Sequence, residues 1–127
     1  FEHIYPEILS GILKEFNRIL APNGIMSHNI DLSDHFAHLD KSITIYNFLQ
    51  FSDKQWQRID NSIQPQNRLR ISDYLEMINQ AGFEVIEKQY RTGEPALLNG
   101  LKPDTKYTGY KQADILVSHC ELVMKKA

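Results

Sequence analysis

The sequence predicts an α/β fold in which amphipathic helices pack on a small sheet. Apolar residues recur every three or four positions across residues 6–20, which is the pattern of a helix with one buried face. A short apolar segment bounded by turn residues follows at 25–30, and its length favours a strand over a second helix. The same order returns later, with a helical pattern at 72–82 and an alternating pattern at 83–91. Helices and strands that alternate along one chain are typical of layered α/β domains.

Local signals define the ends of the first helix and the start of the first strand. Pro6 suits the opening turn, because the N–H that proline lacks has no acceptor within a helix at that position. Glu7 lies near the positive end of the helix dipole, which favours a carboxylate. The helix is expected to stop at the Ala-Pro-Asn-Gly sequence at 21–24, because Pro22 cannot continue the hydrogen-bond ladder.

The second half of the chain predicts one more helix and a pair of antiparallel strands. Ser72 is expected to cap the helix at 72–82, and a glycine at its end can adopt the left-handed turn that closes it. The strands are expected at 83–91 and 121–125. The stretch between them is polar and contains several glycines and prolines, which indicates a long loop, with a short helical turn expected at 111–118.

Residues 32–66 predict a segment that covers a site rather than further sheet. Ser33 and Asp34 can cap a short helix, and Ser52 can cap another one at 53–59. The large apolar residues of this segment are Ile45, Tyr46, Phe48, Leu49, Phe51 and Trp56. A cover of this kind would exclude water from a reaction beneath it.

Composition excludes several classes of protein. The chain has 127 residues, 42% of them hydrophobic and 24% charged, which suits one domain over residues 1–127. Its 14 basic and 16 acidic residues are intermingled and give a net charge of -2, which argues against nucleic acid or an anionic membrane as a partner. No apolar run approaches the roughly 20 residues that cross a bilayer. Cys120 is the only cysteine, which excludes an internal disulfide and favours the cytoplasm.

Three short motifs occur in an order that points to a family. Glu2-His3-Ile4 opens the chain, Glu-Phe-Asn-Arg-Ile-Leu-Ala-Pro-Asn-Gly fills 15–24, and Ala-Gly-Phe fills 81–83. This order resembles the C-terminal half of class I S-adenosylmethionine-dependent methyltransferases. In that family Leu-Glu-His-Val or Leu-Glu-His-Ile closes the fourth strand, and a helix ending Glu-Xaa-Xaa-Arg-Xaa-Leu-Lys-Pro-Gly-Gly leads into the fifth. Ala21 and Asn23 depart from the family's lysine and glycine, and asparagine also accepts the left-handed turn.

The resemblance implies a partial Rossmann-like methyltransferase fold, with flanking helices and a C-terminal antiparallel strand pair. It also implies that the N-terminal half, with its Gly-rich loop and acidic strand end for S-adenosylmethionine, lies upstream of Phe1, which is not an initiator methionine. S-adenosylmethionine is therefore expected to bind to the parent protein, with Glu2 and His3 nearest to it in this chain. The alternative is that Glu2 and His3 only tie loop backbone by hydrogen bonds.

The densest group of ionisable residues follows the first predicted strand and is the expected catalytic site. Asp31, His35 and His38 are the candidate catalytic residues, because an imidazole oriented by a carboxylate can take a proton from an acceptor hydroxyl or amine. His28 and Asp34 are candidate substrate-binding residues. A metal site from these groups ranks lower, since the histidine pair lacks a third fixed ligand, and no metal is expected. The remaining alternative is that these groups only cap helices and pair locally.

Two arginines and one tyrosine complete the expected substrate site. Arg68 and Arg70 flank Leu69 and can face a carboxylate or phosphate together if the backbone there is irregular. Pairing with acidic residues at the surface is the alternative for both. Tyr46 is expected to contact the substrate from the aromatic cover, and core filling is its alternative role.

The expected function is methyl transfer to a small-molecule acceptor, with this chain as the acceptor-side fragment. The alternative is a non-catalytic interaction or dimerisation module that keeps half of a methyltransferase-like fold. Half of a doubly wound sheet leaves one strand edge unpaired, and such edges recruit other chains. A homo-oligomer formed through that edge is therefore expected.

Overall fold

A computed structural model describes residues 1–127 and is a mixed α/β fold with four α-helices and one three-stranded antiparallel sheet. The helices and strands, in chain order, are α1 Pro6–Ile19, β1 Ile25–Asp31, α2 Asp53–Ile59, α3 Ile71–Gln80, β2 Phe83–Thr92, α4 Gln112–Ile115 and β3 Val117–Lys126. Short 3-10 helices occupy His35–His38, Asn47–Gln50, Pro95–Leu98 and Thr105–Tyr107. None of the helices is both long and apolar enough to span a membrane.

The sheet has the order β1-β3-β2, and β3 runs antiparallel to both of its neighbours. β1 and β2 are therefore parallel to each other, with α3 in the connection between them. Cys120 at the middle of β3 pairs with Ile30 on one side and with Tyr90 on the other. The predicted antiparallel strand pair is confirmed. β3 begins at Val117, four residues before the predicted start. The helix α4 already ends at Ile115, so the residues from Val117 onward can pair with the neighbouring strands.

The main core lies between one face of the sheet and the two long helices. α1 contributes Leu9 and Leu13, and the sheet contributes the alternate residues that share a face. The remaining buried members of this cluster are Ile30, Leu32, Ile71, Tyr74, Ile78, Phe83, Val117, Cys120, Leu122 and Met124. The opposite face of the sheet is exposed at β1, where Ile25 retains 63% of its accessible surface.

A second apolar cluster forms between the predicted cover segment and the loop that precedes β3, and the cover segment contains no strand, as expected. Its buried residues are Tyr46, Phe48, Leu49, Trp56, Tyr107 and Ile115. Ser52 caps α2 by accepting a hydrogen bond from the Gln55 amide, which confirms the predicted start of that helix. The Trp56 indole donates to the Gln66 carbonyl at 2.8 Å, so the cluster is tied to the chain that leads into α3.

The predicted N-cap of α3 is wrong by two residues, since Arg70 and not Ser72 occupies that position. Ser72 lies inside the first turn, and its hydroxyl is hydrogen-bonded to the Asp114 carboxylate instead of capping the helix. The Asp73 carboxylate accepts a hydrogen bond from the Arg70 amide at 2.7 Å, which satisfies the backbone at the true N-cap. The end of α3 is as predicted, since Gly82 has a φ of 82° in the left-handed region.

Candidate functional site

A group of polar side chains lies where β1 ends. The Asp31 Oδ1 atom accepts hydrogen bonds from the Ser33 amide at 2.8 Å and from the Ser33 hydroxyl at 2.6 Å. The Oδ2 atom of Asp31 lies 3.3 Å from His35 Nε2 and 3.5 Å from His119 Nε2. One carboxylate therefore has one oxygen fixed by its own loop and the other facing two imidazoles.

Buried polar residues hold the loop that carries His35. Asp34 is fully buried and caps the 3-10 helix His35–His38 by accepting from the Phe36 amide at 2.9 Å. Gln66 reaches the same loop from the other side: its amide nitrogen donates to the Ser33 carbonyl at 2.5 Å, and its amide oxygen accepts from the His35 amide at 3.2 Å. The position of His35 is thus set by contacts on both sides.

The opening residues of the chain approach this loop. The His3 ring lies 5.0 Å from the His35 ring, and the His35 ring lies 5.7 Å from the His38 ring, measured between centroids. His3 Nδ1 lies 2.9 Å from the Pro65 carbonyl, which can only accept, so Nδ1 carries a hydrogen. In the neutral ring Nε2 then has a lone pair, which the Gln64 side-chain nitrogen approaches at 3.5 Å. Glu2 Oε1 lies 3.9 Å from that His3 Nε2 atom.

The electrostatics of the site follow from partial burial and from the Asp31–His35 contact. Burial raises the pKa of the Asp31 carboxyl, but the His35 ring and the Ser33 hydrogen bonds outweigh it and hold that pKa well below its usual range. The Asp31 carboxylate raises the pKa of His35 against the effect of burial. Burial raises the pKa of Asp34. Asp31 is therefore an anion beside an imidazole that retains its proton more strongly than usual.

The site opens to a ligand-sized space. A cavity of about 400 Å³ is bounded by Asp31, His35 and His38 on one side and by Gln64 and Gln66 on the other. His38 is exposed, whereas Asp31 and His35 are partly buried. A small molecule or an ion can therefore reach the three residues that were expected to be catalytic.

The structure brings together five of the predicted residues and separates four others from them. Glu2, His3, Asp31, His35 and His38 form one cluster. Asp34 lies next to His35, but it is fully buried and accepts hydrogen bonds from the Phe36 amide and the Asn47 side chain, so it does not face a substrate as predicted. His28 lies earlier on β1, and its ring packs 4.1 Å from the Phe1 ring and 6.3 Å from the Phe16 ring. Burial lowers the pKa of His28.

Three residues predicted to bind substrate are buried and bonded within the protein. The Tyr46 hydroxyl donates to the Leu116 carbonyl at 2.7 Å and accepts from the Gly93 amide at 3.0 Å. Arg70 has no exposed surface, and its guanidinium donates to three main-chain carbonyls, those of Leu32, Ile115 and Val117.

Arg68 is separated from Arg70 and makes different bonds. It is 5% exposed, donates to the Phe48 carbonyl at 2.9 Å and to Asp53 at 2.6 Å, and lies 5.2 Å from the centre of the Trp56 ring. The two arginines therefore do not face a common anion.

Two residues near the site were not predicted from the sequence. His119 reaches Asp31 because the two are register partners across β1 and β3. Gln66 reaches Ser33 across a loop. No local motif marks either residue, and strand pairing is the one signal that would have placed His119 beside Asp31.

The residues present do not form a cradle for S-adenosylmethionine. Such a cradle requires a glycine after a strand, where the backbone can approach the ligand. The glycine that follows β2 is Gly93, and a Cβ placed there would collide with the Tyr46 hydroxyl. That space is therefore filled by a side chain of the protein itself.

Comparison with known proteins identifies no relative. No protein-family model, no curated protein and no solved structure matches the chain.

Proposed function

We propose that this chain is the acceptor-side part of a class I S-adenosylmethionine-dependent methyltransferase. The observation that supports the proposal is the order of the sheet, in which β3 runs reversed between the parallel strands β1 and β2. The resemblance implies a C-terminal antiparallel strand pair, and β2 and β3 form such a pair. Helices α1 and α3 pack in one core against the same face of this sheet.

The polar cluster lies where an acceptor would bind in such a domain. In open α/β sheets, ligands bind beyond the carboxyl ends of the parallel strands. β1 ends at Asp31, and His35 and His38 follow within one short turn. Glu2 and His3 approach the same place from the opening of the chain, as residues next to the cofactor would.

The Asp31–His35 pair suits the removal of a proton from an acceptor. A hydroxyl or amine gives up a proton when it is methylated, and S-adenosylmethionine supplies the electrophilic methyl group. The His35 imidazole is the proposed proton acceptor, and the Asp31 carboxylate 3.3 Å away offsets the positive charge that the ring gains. His38 is proposed to orient the acceptor, and the buried Asp34 carboxylate caps the 3-10 helix that carries both histidines.

The proposal requires that residues outside this chain hold the cofactor, since no cradle is formed here. The proposed partner is a small-molecule acceptor rather than nucleic acid or a membrane. The proposed compartment is the cytoplasm, in agreement with a lone and buried Cys120 thiol.

Cofactor titration tests the proposal. S-adenosylmethionine would be titrated by calorimetry into this chain and into the same chain extended by the residues encoded upstream of it. We expect saturable binding by the extended protein and none by the 127-residue chain. An extended protein that does not bind the cofactor would contradict the proposal.

The sheet edge favours a second candidate function, that of a dimerisation module. β1 pairs with β3 on one side, and its other edge has no partner strand. Unpaired edges associate with other chains. The dimerisation module is favoured if the extended protein binds no cofactor and the chain is dimeric in solution.

A further inference from the structure

We infer that Asp31, His35 and His38 form a binding site for a divalent transition-metal ion of the zinc type. Each of the three offers one ligand atom, and these atoms lie within 4.8 Å of one another. Two imidazoles and one carboxylate are a donor set that suits Zn²⁺, Co²⁺ or Fe²⁺. The inference goes beyond the proposed methyl transfer and does not depend on it.

The Asp31–His35 distance fits a shared ion better than a hydrogen bond. A tetrahedral ion about 2.0–2.1 Å from each ligand holds its ligands about 3.3 Å apart. His35 Nε2 lies 3.3 Å from Asp31 Oδ2. The same nitrogen is shielded from solvent, and its contact with Asp31 lacks the geometry of a hydrogen bond. An ion between the two atoms would satisfy both.

The surroundings of the ligands provide the outer contacts of a metal site. Ligating groups are usually fixed by hydrogen bonds from a second layer of residues. The two hydrogen bonds from Ser33 occupy Asp31 Oδ1 and leave Oδ2 for the ion. Gln66 holds the His35 backbone through its amide. His38 is exposed at the rim of the adjacent cavity, with its ring 5.7 Å from the His35 ring.

A second triad shares His35 and defines the alternative ligand set. Glu2, His3 and His35 also place their ligand atoms within 4.8 Å of one another. The Pro65 carbonyl fixes the His3 Nδ1 hydrogen, which leaves His3 Nε2 as the atom that would bind an ion. We assign the ion to Asp31, His35 and His38 because these residues line the cavity through which an ion would enter.

A bound ion would change the chemistry available at this site. A zinc-type ion lowers the pKa of a water or hydroxyl bound to it and polarises its oxygen. If an ion were bound, His35 would be a ligand rather than the proton acceptor proposed above, and the proton lost by a water or hydroxyl at the ion would pass to solvent.

Metal titration of the untagged 127-residue chain tests the inference without any cofactor. After treatment with EDTA and buffer exchange, Zn²⁺ would be titrated by calorimetry, and Co²⁺ would be followed by its visible absorption. We expect one ion per chain and the absorption of a tetrahedral cobalt site. The His35→Ala and His38→Ala variants should each weaken binding at least tenfold.

His28→Ala is the matched control, because His28 is a partly buried histidine outside the cluster. It should bind the ion as the wild type does, and circular dichroism should show all variants to be folded. Asp31→Asn keeps the shape of the side chain and should also weaken binding. A loss in this variant reflects the missing carboxylate rather than a folding defect. The inference is overturned if the wild type binds no ion, if His28→Ala loses as much as His35→Ala, or if His3→Ala abolishes binding while His38→Ala does not.

Failure of this inference is distinguishable from failure of the proposed function. The metal titration uses neither S-adenosylmethionine nor an acceptor, and the cofactor titration uses no metal.

Discussion

Asp31 and His119 are register partners across β1 and β3, and His119 Nε2 lies 3.5 Å from the Asp31 oxygen that also faces His35. One carboxylate thus serves two imidazoles that are 84 residues apart along the chain, from 35 to 119. The strand pairing brings His119 to this carboxylate, and the turn after β1 brings His35.

The first prediction concerns the charge of His35 in the metal-free protein. Asp31→Asn should lower the pKa of His35, because the carboxylate is the largest cause of its raised value. NMR titration of the imidazole resonances measures this directly. Asp40→Asn is the control, since Asp40 is an exposed carboxylate bonded to Ser42. Equal His35 titration curves in wild type and Asp31→Asn would contradict the prediction.

The same pair should make stability depend on pH. A histidine whose folded-state pKa is raised contributes stability that is fully present below its unfolded pKa of about 6.5 and is lost as pH rises through the folded value. The free energy of unfolding lost in His35→Gln should therefore be larger at acidic than at alkaline pH. Urea unfolding at two pH values on either side of neutrality tests the sign. A larger loss at alkaline pH would show that Asp31 does not hold the proton on His35.

Arg70 should be essential for folding rather than for binding. Arg70→Met removes a buried guanidinium that donates to three carbonyls, which would then have no partner. At about 1–3 kcal/mol for each carbonyl left unpaired, we expect a loss of about 3 kcal/mol or more in the free energy of unfolding, or failure to fold. Arg18→Met is the control, because the exposed Arg18–Glu15 pair should contribute almost nothing. A stable Arg70→Met protein would disprove this role.

Gln66 should hold the loop that carries His35. Gln66→Ala leaves the buried Ser33 carbonyl and the His35 amide without their partner, at a cost of about 1–3 kcal/mol. Hydrogen exchange of the His35 amide should become faster in this variant. The neighbouring exposed Gln64 makes no such contacts, so Gln64→Ala should leave the exchange rate unchanged. Similar exchange rates in both variants would count against the role assigned to Gln66.

Gly93 should not tolerate a side chain. A Cβ at this position would meet the Tyr46 hydroxyl, which must then leave the Leu116 carbonyl. Gly93→Ala should cost about 1–3 kcal/mol in thermal or urea unfolding. Gly109→Ala is the control, since nothing lies within 4 Å of a Cβ there. Combining Gly93→Ala with Tyr46→Phe removes the colliding oxygen and should cost less than the sum of the two single changes.

The unpaired edge of β1 predicts self-association of the isolated chain. Sedimentation equilibrium should show a dimer whose population rises with concentration. A monomeric 127-residue chain at high concentration would contradict the prediction.

Local patterns in the sequence determined most of the secondary structure. The helix α1, the capped helix α2, the glycine that ends α3 and the antiparallel pairing of β2 with β3 were all predictable, because periodicity, caps and left-handed turns depend on neighbours within a few residues. The loop after β1 was also predictable as a polar site, since Asp31, His35 and His38 lie within eight positions of one another.

Tertiary packing alone decided which of the polar residues are available to a ligand. Three polar residues are buried, namely Arg68, Arg70 and Tyr46. Each donates a hydrogen bond to a main-chain carbonyl that is distant in sequence and would otherwise have no donor inside the fold. His119 belongs to the site because strand register places it opposite Asp31. Such contacts join residues far apart along the chain, and their energy depends on desolvation and on distance in space, which no local pattern records.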